Sequence, residues 1–306
     1  MSILERTDDR DWNVYARGCD ASKYEKAKAL RREFVKPGII VDLGSGTGIV
    51  EVILSELSSK EESERSFVVG VDISPEMLER AKDRKKEYEK IPVDLVRNDL
   101  TKSCIANESV DTVLCFSFLH EIYSDSGLET MMDVLRDVYR MLKPEGRLII
   151  RDGPRSKNWR KSYYSKFNKK ATEELFYKFA RDFDPHNFVE DYIPEEKPEY
   201  SIDFEKLDDG MIRLSGPDCF EFLTKYIYKE NWDVEVKEKF GVFTPEQWKI
   251  VLESLGFKVN NSETYLIPYL NNRYTHDGIE LYKKFSGEYV PTEYPDSTMI
   301  LVAEKV

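Results

Sequence analysis

The stretch Val41-Asp42-Leu43-Gly44-Ser45-Gly46-Thr47-Gly48-Ile49-Val50 constrains this chain of 306 residues more than any other. Three glycines stand at alternate positions between an apolar run, Ile39 to Leu43, and the start of an amphipathic segment. Glycine admits left-handed backbone and presents no Cβ to a ligand, and a helix that begins there offers free amides to an anion. The spacing separates the ligands that such turns hold. A triphosphate loop needs GxxxxGK[ST], and no lysine follows these glycines. A dinucleotide fingerprint, GxGxxG, would place its third glycine at position 49, which is Ile.

Further apolar runs follow at regular intervals. Phe67 to Val71, Pro92 to Val96, Val110 to Phe116 and Arg147 to Arg151 read as buried strands. Between them, Ser74-Pro75 pairs an N-cap with a first-turn proline, and Ser126 to Leu142 repeats apolar residues at three and four. Ser58 to Ser66 reads as a polar loop. Strands alternating with helices predict a parallel sheet covered on both faces, an α/β doubly wound fold. The regularity stops after Asp152 and resumes at Thr244-Pro245-Glu246-Gln247, a capping box. The predicted organisation is an N-terminal helical arm (1–37), a cofactor-binding core (38–152), a mainly helical cap (153–243) and a completion of the sheet (244–306) with a loop insert at 268–296.

Composition narrows the class. With 41% hydrophobic and 12% aromatic residues the chain has material for a sizeable core. No apolar run approaches the roughly 20 residues of a membrane span, and the N-terminus, charged from its fifth residue, has no signal-peptide apolar region. The four cysteines and three histidines are scattered, which predicts neither a metal site nor a disulfide framework. A cytoplasmic setting follows. Abundant Lys and Glu beside a single glutamine, Gln247, point to a heat-adapted source. A net charge of −12 argues against a protein that coats nucleic acid with its whole surface.

The glycine turn has company in a fixed order. Asp72 ends the second strand, Asn98-Asp99 the third, and Ser117-Phe118-Leu119-His120-Glu121 the fourth, with Arg140-Met141-Leu142-Lys143-Pro144-Glu145-Gly146-Arg147 leading into the fifth. This set resembles the class I S-adenosylmethionine-dependent methyltransferases, closely over residues 38–152 and by pattern alone over 244–306. The resemblance implies a seven-stranded sheet with a reversed last strand and S-adenosylmethionine as cofactor. It implies that Gly44, Gly46 and Gly48 face the methionine part and that Asp72 holds the ribose. Ile73 would lie beside the adenine, with Asp99 and Leu100 at its edge; Asp99 also reads as an N-cap to the turn at Thr101. Asp42 would order the turn or reach the cofactor amine, and Ser117 would close the site from the fourth strand. Tyr15 and Arg17 either fold over the cofactor carboxylate or belong to a solvated arm.

Methyl transfer needs positioning more than a dedicated base. The acceptor is expected above the strand ends, near Ser117, Glu121, Tyr123 and Arg155, with Trp159, Arg160, Arg273 and Tyr274 contributed by the inserts. Asp152 and His120 are the candidates for catalytic proton transfer. His120 reads equally as a helix-start packing residue, and Asp152 as a partner of Arg151 or Arg155. The [DNS]PP[FYW] motif of base-amino methyltransferases is replaced by Cys115-Phe116-Ser117-Phe118, and Cys115 reads as a buried strand residue, not a nucleophile.

Residues 155–181 carry nine Lys or Arg against two Glu, with seven aromatics interleaved. That mixture suits phosphate contact and base stacking, so RNA is favoured slightly as acceptor, which would make the chain an RNA-modification enzyme. The rival is a small-molecule N- or O-methyltransferase with the insert as its lid. A third reading is a cofactor-binding partner subunit without turnover. Against the RNA reading, Trp159, Tyr163 and Phe167 fall at helical spacing, as do Phe176 and Phe179, and so read equally as the cap's own core. The following acidic run, 182–209, offers eleven carboxylates to pair with the basic stretch.

Overall fold

Each apolar run becomes a strand of one central sheet. The computed structural model describes residues 11–100, 105–157, 159–185 and 199–306. Cys104, His186, the N-terminal decapeptide and the middle of the acidic run lie outside them. Strands β1 (Ile39–Leu43), β2 (Phe67–Asp72), β3 (Val93–Arg97), β4 (Val110–Phe116) and β5 (Leu142–Asp152) pair in parallel. β9 (Phe257–Tyr265) and β12 (Thr298–Lys305) complete the order β3-β2-β1-β4-β5-β12-β9, with β12 antiparallel to both neighbours. The expected seven-stranded sheet with a reversed last strand is therefore present.

Side chains alternate across this sheet, and each face has its own core. On one face Val41, Val113, Leu148 and Leu301 pack against α6 (Leu119–Met141) and α10 (Pro245–Ser254), through Leu135, Val138, Trp248 and Leu252. On the other, Ile40, Leu114, Ile149 and Ile300 meet Ala29, Leu30 and Phe34, together with Val50 and Ile53 of α3 (Ile49–Leu57). The helices start where the chain supplies caps. Ser74 caps α5 (Pro75–Asp83) at the Met77 amide, and Thr244 with Gln247 forms the reciprocal box of α10. The polar stretch read as a loop is instead α4 (Lys60–Arg65), opened by a second capping box, Ser59 with Glu62. The S-x-x-E spacing is the signature of such a box.

The predicted helix beginning at Ser126 starts earlier, at Leu119, and Gly127, with φ of 81°, interrupts its regular geometry. Ahead of the sheet, α1 (Trp12–Ala21) and α2 (Lys23–Ala27) form the expected arm. Asp11 caps α1 by accepting from the amides of Asn13 and Val14. No helix among the described residues is long and apolar enough to cross a membrane.

The two inserts, separate in sequence, meet in one five-stranded antiparallel sheet. Its order is β11 (Glu288–Pro291), β10 (Ile279–Phe285), β6 (Ser162–Phe167), β8 (Ile212–Ser215), β7 (Phe204–Lys206). α7 (Lys170–Asp182), α8 (Gly216–Lys225), α9 (Trp232–Glu235) and α11 (Pro268–His276) accompany it. Tyr163, Phe176, Phe179, Phe222, Tyr226 and Tyr274 fill their shared core. Tyr163 and Phe167 thus lie on a strand and not, as their spacing suggests, on a helix. Positions four apart share a face in both structures, so that spacing does not distinguish them. Phe176 is fully buried and rings four other aromatics. Phe176→Ala is expected to destabilise the protein by about 3–5 kcal/mol, measured by urea denaturation; a loss under about 1 kcal/mol would mean the cap core closes over the gap.

Candidate active site

The glycine turn leaves β1 and is tied at once to its neighbour, the amides of Gly44 and Ser45 donating to the Val71 carbonyl at 2.8 and 3.1 Å. Gly44, Gly46 and Gly48 have φ of 74°, 54° and 74°, a region that other residues enter only with strain. Their surroundings differ. A Cβ on Gly44 would stand 2.7 Å from the Phe118 ring, and one on Gly48 would stand 3.0 Å from the Ala81 Cβ in α5. At Gly46 the nearest atom would be 4.0 Å away. Two glycines therefore admit the protein's own packing, and the middle one faces open space.

Asp72, at the end of β2, accepts from the Gly46 amide through Oδ2 and from the Ser74 amide through Oδ1, both at 2.8 Å. It fixes the turn and the start of α5 together. Ile73 follows, its carbonyl accepting from Arg97 Nε at 3.1 Å, and Asp99 with Leu100 follow β3 on the same edge. The arm closes over the turn: Asp20 accepts from Thr47 Oγ1 at 3.2 Å and pairs with Arg84, and Asn13 accepts from Arg80 at 2.8 Å.

Beneath the turn lie two carboxylates, Asp42 and Glu51, at 1% and 0% exposure. The oxygens of Asp42 lack a hydrogen-bond partner among the described residues, and those of Glu51 have none but its own amide. Burial, then the charge of Glu51, pushes Asp42 well above the usual carboxylate range, against the pull of Lys26. Burial, opposed by its own amide and by Lys26, lifts Glu51 to about 7. Of the two expectations for Asp42, a hydrogen bond that orders the turn is not observed. Its orphaned oxygens suit a cation such as the ammonium of a bound amino acid.

The sequence candidates for proton transfer are brought together. His120 Nδ1 lies 2.6 Å from Asp152 Oδ1, and Nε2 lies 3.7 Å from Glu238 Oε2, a cap residue unremarked in the sequence. The His120 amide also donates to Asp152 Oδ2 at 3.2 Å, and the Phe240 ring stands against the imidazole at 4.3 Å. Burial alone would lower the histidine pKa; the charges and hydrogen bonds of Asp152 and then Glu238 overcome it and hold it at about 10. Asp152 thus partners His120, not Arg151 or Arg155. Held this way, the imidazolium is the counter-charge of both carboxylates. It pins the end of β5, the start of α6 and the cap to one another.

Donor atoms of His120, Glu121 and Glu238 lie within 4.8 Å of one another, a grouping the scattered histidines did not foretell. A divalent ion there would compete with the proton on Nε2. Tyr15 donates to Glu121 Oε1 at 3.3 Å, while Arg17 is exposed and paired with Glu230 at 3.4 Å. Tyr123 is half-buried against the main core. Cys115 is fully buried, and burial, then Asp42 and Asp152, pushes its thiol pKa up, as expected of a packing residue.

The insert candidates divide. Arg155 donates from Nε to the Gly241 carbonyl at 3.3 Å and lines a cavity of about 400 Å³ with Tyr163, Lys283 and Asp296. Trp159 lies between Arg155 and Arg160, with guanidinium carbons 5.7 and 4.7 Å from its ring centre. Tyr274 is 1% exposed and donates to the Leu223 carbonyl, and Arg273 pairs with Asp277 at 2.7 Å. Tyr274 belongs to the cap's own core, a correction to its reading as an acceptor contact, whereas Arg273 is partly exposed and tied to Asp277: an aromatic beside a cation serves a core and a site alike.

A seven-stranded sheet with a glycine turn after β1 and carboxylates ending β2 and β3 is the frame of a cofactor-dependent methyl transferase. Residues 41–150 match the family of methyltransferase domains. They form a class I, S-adenosylmethionine-dependent methyltransferase domain. The chain is similar to the demethylmenaquinone methyltransferase of Tropheryma whipplei, 31% identical over 111 residues, 36% of this chain and 40% of that one. It is also similar to the ubiquinone/menaquinone biosynthesis C-methyltransferase of Xanthomonas axonopodis pv. citri, 29% identical over 186 residues, 57% of this chain and 68% of that one. The match to the former thus spans less than half of that relative's length. In fold, the chain resembles one in the complex between the Haloferax volcanii Trm112 methyltransferase activator and a candidate methyltransferase. The TM-score is 0.53 at 13% identity, over 99% of this chain and 97% of that one.

The residues present fit S-adenosylmethionine. The Gly46 face is open, Asp72 ends β2 where a ribose would lie, and the unpartnered carboxyl of Asp42 lies beneath the turn.

Proposed function

We propose that the protein transfers the methyl group of S-adenosylmethionine to a small molecule enclosed between the carboxyl edge of the main sheet and the cap. The cofactor supplies an electrophilic methyl on a sulfonium. The chain's contribution is to position and to exclude water. The Gly44–Gly48 turn and Asp72 hold the donor, and the His120 ion pairs lock the cap over the ends of β4 and β5. No group among His120, Asp152 and Glu238 is free to act as base while the imidazolium stands between the carboxylates.

The observation that carries a small acceptor is the fate of the basic stretch 155–181. Tyr163, Phe176 and Phe179 are buried in the cap core, so they offer no platform on which bases would stack. Lys169, Lys170 and Lys178 are paired with Asp277, Glu174 and Asp182. Three of the seven aromatics and three of the nine cations are thus engaged within the cap, which favours a small acceptor over RNA. The relatives, a demethylmenaquinone and a ubiquinone/menaquinone biosynthesis methyltransferase, support a small acceptor as well. Incubation with cofactor labelled in its methyl group, followed by separation of RNA, protein and metabolites, tests this. Label is expected in the metabolite fraction; label confined to RNA would refute a small acceptor, and no label anywhere would favour a binding-only subunit.

A further inference from the structure

Arg151 ends β5 at 6% exposure. Its side chain donates from Nη1 to Ser117 Oγ at 3.2 Å, and its Nε is buried without an acceptor. A buried guanidinium lacking a carboxylate partner is costly unless something anionic completes it. Its neighbours are hydroxyls. Ser117 is held in left-handed backbone, φ 54°, by donating its amide to the Arg151 carbonyl at 2.7 Å, a strained residue of the kind that gathers at sites. The Tyr265 hydroxyl, at the end of β9, is buried without a well-aligned hydrogen-bond partner, and the charged groups facing it are Arg151 and Glu25. Burial raises its pKa to about 12 against the opposing charge of Arg151. The same guanidinium opposes the burial-driven rise at Tyr228, which comes from the cap.

A planar cation among hydroxyls, its Nε without an acceptor, is a place for an oxyanion. The strand order says whose. The turn, ribose and adenine positions lie on β1, β2 and β3, whereas Arg151 lies on β5, two strands beyond β1 on the other side. Two strand spacings are about 10 Å. We propose that Arg151, with Ser117 and Tyr265, binds an oxyanion of the acceptor, a carboxylate or an ionised phenol or enol, and so selects anionic acceptors over neutral alcohols and amines. This rests on the methyltransferase reading above.

The test uses the full chain saturated with S-adenosylhomocysteine, titrated calorimetrically with benzoate, 4-nitrophenolate, benzyl alcohol and benzylamine. At least one of the two anions is expected to bind about tenfold more tightly than the alcohol or the amine, and which of the two does so identifies the oxyanion. Arg151→Met should remove that preference and Arg151→Lys keep part of it, with S-adenosylhomocysteine affinity unchanged in both as the control for folding. Equal binding of all four probes, or of none, overturns the proposal. So does an Arg151→Met protein that loses S-adenosylhomocysteine affinity while keeping the probe order, since the partner would then be the cofactor's own carboxylate. Failure of the native chain to bind S-adenosylhomocysteine is a separate result, and it overturns the methyltransferase reading itself.

Discussion

Replacing His120 by glutamine is expected to lower the unfolding free energy by about 3–5 kcal/mol, because it strips the counter-charge from two buried carboxylates. Asp152 and Glu238 are 4% and 2% exposed, so water does not substitute for the imidazolium. The effect carries a pH dependence of known sign. The folded-state pKa, about 10, lies above the ordinary 6.5 of an unfolded histidine. The contribution is therefore fully present below about 6.5 and is lost as pH rises through about 10. Urea denaturation of the native chain should show stability falling towards pH 10, and His120→Gln should be less stable at neutral pH and lack that part of the decline. Equal stability of the two proteins at pH 7 would show that the ion pairs are not what fixes the cap.

The second large effect concerns the cofactor. Asp72→Ala should weaken S-adenosylhomocysteine binding by at least about tenfold, the loss of one or more charge-assisted hydrogen bonds to a ribose. Because Asp72 also anchors the Gly46 and Ser74 amides, that variant alone mixes two causes. Gly46→Ala separates them. Its methyl would meet no protein atom nearer than 4.0 Å, so the folding penalty is only that of left-handed backbone, about 1–2 kcal/mol. The same methyl would stand in the space open to the ligand, and affinity should again fall at least about tenfold. Calorimetry with both variants decides. Unchanged affinity in Asp72→Ala would mean that the ribose lies elsewhere; unchanged affinity in Gly46→Ala would mean that the open face is not the cofactor's.

The parts of this molecule that were legible in the sequence are those whose physical demands are local. The strand-turn-helix at 39–57 declares itself because left-handed backbone calls for glycine at fixed offsets. Asp72 and Asp99 declare themselves by ending apolar runs. Caps behave likewise, the Ser59–Glu62 box among them. What stayed hidden depends on contacts far apart in the chain. Glu238 stands 118 positions from His120, and nothing in its own neighbourhood marks it. Asp20 reaches Thr47 only once the arm has folded back. The sheet shared by two inserts was invisible because each insert supplies strands that find their partners in the other. The residues 155–181 misled for a related reason: cations among aromatics describe a nucleic-acid surface and a salt-bridged helix over a core with the same letters.

That shared sheet also bears on how firmly the cap is held. The chain passes between the two sheets four times, after β5, before α10, after β9 and before β12. Swinging the cap away would bend all four connections at once and break the His120–Glu238 pair. The arm over the glycine turn is held differently, by polar contacts at or near the surface: Asp20 to Arg84 and Thr47, Asn13 to Arg80, Tyr15 to Glu121 and Arg17 to Glu230. Exposed pairs of this kind contribute little each. The cap is thus fixed by a buried ion pair and four chain connections, and the arm by surface polar contacts.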